Sequence, residues 1–188
     1  MKKIIFFLIT TASLLTAGAN HADKVGVYWK AFKTFEKIGV EGKFTELTFT
    51  PKMQKTKDLK DLLLGSKISI NSSKIETNNV GRNKKVSTLF FGNLKGKTIE
   101  GEIVEAKAKT PSSGTLVVKI TMNEKDVKVP MSYSFDSKHS ELVANGVLDI
   151  FDFSGNDALK AINKECFDLH KGKTWNDVEI EFRINIEG

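Results

Sequence analysis

The sequence predicts a mainly β protein, a barrel or sandwich of about eight antiparallel strands with a few short helices. Two stretches carry most of this. Val127, Val129, Met131, Tyr133 and Phe135 alternate with lysine, proline and serine, and Val178, Ile180, Phe182, Ile184 and Ile186 alternate with glutamate, arginine and asparagine. A period of two sends one set of side chains to a core and the other to water, the mark of a half-buried antiparallel strand. The third observation is cadence. Apolar runs of strand length recur along the chain with turn residues between them.

Taken in order, residues 25–32, 40–49, 67–75, 98–108, 117–122, 127–135, 141–151 and 178–186 read as the eight strands. Residues 123–126 separate the fifth from the sixth and make a hairpin. Helical segments are few: 58–64, 83–89, and 156–167 with apolar spacing at Leu159, Ile162, Cys166 and Phe167. An eight-stranded antiparallel barrel is wide enough to hold one small ligand.

The N-terminus reads as a targeting segment. Lys2 and Lys3 precede an apolar run over 4–15, and Ala17, Gly18 and Ala19 follow as an A-x-A cleavage site. Residues 1–19 are therefore expected to be a signal peptide, with a second candidate cut after Ala22. The run is shorter than the ~20 residues a spanning helix needs. No cysteine lies near the cut, which excludes a lipid anchor on cysteine. Residues 20–188 are expected to form one exported, soluble domain of the periplasm, long enough for a good core.

The formal charge of +6 falls to +4 without the leader. Arginine occurs only at Arg82 and Arg183, and the lysines are mixed with acids, as over 100–109. This is a solvated surface rather than a nucleic-acid footprint. A membrane-spanning β-barrel also alternates, but it faces apolar residues to lipid between aromatic girdles, and the closing strand here ends without an aromatic. Cys166 is the single cysteine, so no internal disulfide forms. As a free cysteine beside Phe167 it reads as a buried small hydrophobe, the alternative being an intermolecular bridge or a reactive thiol. His21, His139 and His170 share no strand or helix face, which leaves metal-ligand spacing absent. His139 and His170 stand in polar, turn-like surroundings. With no nucleophile elbow and no phosphate-cradling glycine loop, no enzyme, metal or cofactor is expected.

Aromatic usage is lopsided, with thirteen phenylalanines against two tyrosines. Residues 147–153 are apolar on both faces, and Phe90-Phe91 falls in a connection rather than a strand. Such side chains fill a core or surround an apolar chain.

Ile68-Ser69-Ile70-Asn71-Ser72-Ser73-Lys74-Ile75-Glu76-Thr77-Asn78, followed by Arg82-Asn83 and Phe90-Phe91, resembles the signature of the YceI-like family. Gly42-Lys43-Phe44 resembles its Gly-Thr-Phe. Ile120-Thr121-Met122-Asn123, running to Val127 and Pro130, resembles its hairpin, and Asp152-Phe153 its late Asp-Phe. The order is kept over nearly the whole chain. Two departures stand out: the family's Arg-Asp is Arg82-Asn83, and Glu124-Lys125-Asp126 replaces the hairpin Gly-Val.

The resemblance implies an extended lipocalin-like barrel of eight strands around a polyisoprenoid or another amphiphile such as a fatty amide, often as a homodimer. Each buried methylene contributes about 0.8 kcal/mol, so a long chain binds tightly without polar contacts. Trp29, Phe44, Ile70, Phe90, Phe91 and Phe153 are the expected lining, although strand parity leaves the inner face open. Arg82, with Asn78 and Asn83 nearby, either fixes a polar head at the barrel mouth or caps a helix and pins its loop. The alternative function is a structural or stress-related interaction domain with a filled core.

Overall fold

The computed structural model describes residues 25–52 and 59–186. The expected signal peptide and the start of the first helix lie outside the described residues.

One antiparallel sheet dominates. Its strands are β1 (Val25–Lys33), β2 (Ile38–Phe44), β3 (Leu47–Thr50), β4 (Lys67–Asn71), β5 (Ile75–Glu76), β6 (Thr98–Thr110), β7 (Ser113–Met122), β8 (Lys125–Asp136), β9 (Glu141–Asp149) and β10 (Thr174–Asn185). They run in the order β3-β4-β6-β7-β8-β9-β10-β1-β2-β5.

Ten strands replace the expected eight, because two of the expected strands are each interrupted. Thr45–Glu46 breaks β2 from β3, and Ser72–Lys74 breaks β4 from β5. The breaks face each other: Thr45 N–H donates to the Lys74 carbonyl, and Asn71 N–H to that of Glu46. The bent run 38–50 is shared by both ends of the sheet. Its first half pairs with β1 and β5, its second with β4, so the sheet curls round onto itself.

Alternation sorts the faces as the sequence predicts. On β8, Val129, Met131 and Tyr133 are buried while Lys128, Pro130, Ser132 and Ser134 are exposed. Apolar inside and charged outside is the reverse of a membrane-spanning barrel. No helix among the described residues is long and apolar enough to cross a membrane.

The helices divide between the ends of the sheet. Helix α1 (Leu59–Leu63) connects β3 to β4 at one end and drives Leu63, fully buried, into the barrel. There it meets a closed core that includes Ile103, Leu116, Val129, Met131, Tyr133, Leu142 and Ala144. At the opposite end lie α2 (Val80–Lys85) and α3 (Asn156–Glu165), joining β5 to β6 and β9 to β10. Helix α2 continues through a π-helical turn at Val86–Phe90 and a 3-10 turn at Phe91–Asn93; a further 3-10 turn, Ile150–Phe153, follows β9. Asn123, in the β7–β8 turn, ties this end together. Its Nδ2 donates to the Phe153 carbonyl at 2.7 Å, and its Oδ1 accepts from Lys95 N–H at 2.7 Å.

Candidate functional site

Helices α2 and α3 do not pack flush on the sheet. Between them and the strands is a cavity of about 560 Å³, within the range of small-molecule sites. Its walls follow from strand register. Trp29 faces Gly42 on β2 and Ile180 on β10, and Ala31 faces Val40 and Val178, so these side chains share the inner face. The Trp29 ring lies across Gly42, where a Cβ would sit 2.2 Å from Cζ2. Only glycine leaves room for the indole. Its N–H is buried and meets no acceptor among the described residues.

The aromatic wall comes from α2. A π-helical turn carries an extra residue per hydrogen-bonded ring; here Phe91 N–H returns to the Val86 carbonyl. Two consecutive phenylalanines thereby reach the cavity. Phe90 and Phe91 meet edge to face at 5.1 Å, and Phe91 meets Phe44 at 5.7 Å. Favoured geometries of this kind hold the rings in place.

The expected site residues separate into two groups. Trp29, Phe44, Ile70, Arg82, Phe90 and Phe91 all line the cavity. Phe153 does not: it is fully buried in the closed core, and Leu148 and Ile150 line the cavity in its place. Asn78 does not either. Its side chain is exposed toward an outer groove, and Asn79, one residue on, lines the cavity. Cys166 is buried as expected, at the cavity wall.

Asn83 takes a structural part. Its Oδ1 accepts both from Thr77 N–H at 2.9 Å and from Thr77 Oγ1 at 2.6 Å, and its Nδ2 donates to Glu76 at 3.1 Å. That donation, followed by the N–H of Asn78, holds the Glu76 carboxyl below its ordinary value. Asn79 caps α2 by accepting from Arg82 N–H at 2.8 Å. The Arg82 guanidinium reaches the Thr77 carbonyl at 3.4 Å, so it pins the loop while facing the cavity. Asn83→Ala would strand the N–H of the buried Thr77 and leave its hydroxyl only the Asn79 carbonyl at 3.5 Å, at an expected cost of about 1–3 kcal/mol read from urea unfolding. A loss under about 0.5 kcal/mol, the level of an ordinary surface change, would place the loop's support elsewhere.

His170 is the residue the sequence did not single out. It is half-buried and lines the cavity with Lys33, Lys85 and Thr174. Burial lowers its pKa, and the charges of Lys33 and Lys85 lower it further. The unfolded chain therefore binds the proton more readily, and this contribution to stability is complete above the ordinary histidine value and declines as pH falls through it. His170→Gln is expected to flatten the decline in stability between roughly pH 7 and 5 relative to the parent protein. Parallel profiles would show that the imidazole titrates freely.

The molecule is thus a curled antiparallel β-barrel with an apolar chamber under two helices. The chain belongs to the YceI-like domain family, matched over residues 19–186. Among solved structures it is similar to a polyisoprenoid binding domain from Saccharophagus degradans implicated in plant cell wall breakdown. That match has 8% identity and a TM-score of 0.61, covering 85% of this chain and 91% of that one. It is also similar to Burkholderia cenocepacia BcnA, at 14% identity and TM-score 0.58 over 85% and 94% of the chains. Campylobacter jejuni YCEI protein follows at 13% and 0.56, over 77% and 82%. At these identities the likeness shows the fold alone. No curated protein of similar sequence was found.

Proposed function

We propose that the protein is a non-catalytic periplasmic carrier that encloses a long-chain apolar ligand, an isoprenoid or a fatty-acid-like amphiphile. The cavity carries this reading: about 560 Å³ of space walled by aromatic and aliphatic side chains, beside a separate cluster of buried core residues. It supports a carrier over a domain with a filled core. Likeness to a polyisoprenoid binding domain supports the ligand class. In an aqueous compartment such a chain needs shelter, and burial of its methylenes supplies the affinity.

Solvent extraction of the purified protein, followed by mass spectrometry, is expected to release a long-chain lipid. An empty extract, together with failure of any long-chain compound to displace an apolar fluorescent probe, overturns the reading. Export is read by intact mass, with the mature N-terminus expected at Asn20 or within about four residues of it. Light scattering reads the homodimer that the family resemblance implies.

A further inference from the structure

We propose that the cavity takes a single-chain amphiphile with an anionic head, a carboxylate or phosphate monoester, held at the rim by Lys33, Lys85 and Nε2 of His170. This rests on the reading of the cavity as a long-chain site. The lining is apolar except at one region, where the end of β1, helix α2 and the α3–β10 loop meet. That region carries three cationic side chains, Lys33, Arg82 and Lys85, and no carboxylate among the described residues lines the cavity. Arg82 is engaged with the Thr77 carbonyl. Lys85 pairs with Glu165 of α3 at 3.2 Å, with the lysine half-exposed and the glutamate exposed, and a solvent-accessible pair of this kind is worth little and exchanges readily. Lys33 makes no ion pair among the described residues. On the loop itself, Lys171 faces Glu36 at 3.5 Å, and Lys173 lies over the Trp175 ring at 4.4 Å.

The hydrogen bonds around His170 fix which nitrogen is free. Asn163 Nδ2 donates to the Gly172 carbonyl, turning Oδ1 toward Thr174, whose hydroxyl donates to it at 2.7 Å. That hydroxyl has spent its proton, so in its 2.7 Å contact with His170 Nδ1 it accepts. Nδ1 therefore carries the hydrogen and Nε2 keeps the lone pair. Burial, and after it the charges of Lys33 and Lys85, lower the pKa of this half-buried imidazole. An anion between them reverses the balance, since opposite charge favours the protonated form. Nε2 then becomes a third donor to the head. A neutral alcohol or ester supplies no such counter-charge.

The test displaces an apolar fluorescent probe from the purified protein at neutral pH with hexadecanoate, hexadecyl phosphate or hexadecan-1-ol. Both anions are expected to act at concentrations about tenfold or more below the alcohol, the strength of hydrogen bonds to charged groups. In the Lys33→Gln, Lys85→Gln double variant the anions' advantage closes to about unity. Because a variant can be poorly folded, the parent protein gives a second readout: the NMR-monitored pKa of His170 should rise with hexadecanoate and hold still with hexadecan-1-ol. Equal potency of all three compounds overturns the anionic head and leaves the long-chain cavity standing. Failure of all three to displace the probe overturns both. An equal rise in the His170 pKa with inorganic phosphate alone overturns the coupling of head to chain.

Discussion

Phe153→Ala is expected to lower the unfolding free energy by about 3–5 kcal/mol, among the largest single losses in this chain. The ring is fully buried, and the backbone around it has little freedom to close over a void. Asp149 caps the 3-10 turn by accepting from Phe151 N–H at 2.8 Å. Ser154 follows in the left-handed region at φ 54°, and Gly155 N–H donates to the Ile150 carbonyl at 3.0 Å. Asn123 holds the Phe153 carbonyl from the other side. A cavity that cannot collapse keeps most of its cost. The urea midpoint should fall with an unchanged slope. Because Phe153 stands outside the ligand cavity, probe binding should survive wherever the variant is folded. A loss below about 1.5 kcal/mol, within the range of a volume-conserving swap, would show that the ring is dispensable to the core.

What the sequence conveyed depended on whether the cause was local. Alternation is local, and β8 and β10 appear where it placed them. The interruptions of two strands are not, since Thr45 finds Lys74 and Asn71 finds Glu46 only once distant segments meet. Phe153 was expected at the cavity because it lies in a segment that matches the family's late Asp-Phe. The 3-10 turn changes the phase after Asp149, so Ile150 takes the cavity and Phe153 the core. Asn78 missed by one position, since its own φ of 56° turns the chain before α2 and leaves Asn79 at the wall. His170 was hidden by polar neighbours. The loop that carries it is tied to the end of β1 by Thr34 N–H donating to the Lys173 carbonyl, a contact between residues far apart in sequence. The apolar wall was legible from residue type and family motif; of the polar rim only Arg82 was, because Lys33, Lys85 and His170 come together from three separate elements.

Gly42→Ala should cost more in binding than in stability, and this separates the cavity from the fold. The new methyl would lie 2.2 Å from Cζ2 of Trp29, 2.6 Å from Cε2 and 2.8 Å from Cη2. Contacts that short cannot stand, and β2 is held on both sides by β1 and β5, so the indole must move. Trp29 lines both the cavity and the outer groove, so the ring has open space on two sides. A ring swung inward occupies room that a ligand chain would use, and excluding three or four methylenes costs about 2–3 kcal/mol of affinity, a loss near a hundredfold. Overpacking should cost the fold about 1–3 kcal/mol, softened because the ring has somewhere to go. Trp29 emission should shift in the ligand-free variant, reporting the ring's new surroundings. Probe displacement by hexadecanoate gives the affinity. If the variant bound as tightly as the parent, with unchanged emission, the Trp29 wall would play no part in holding the chain.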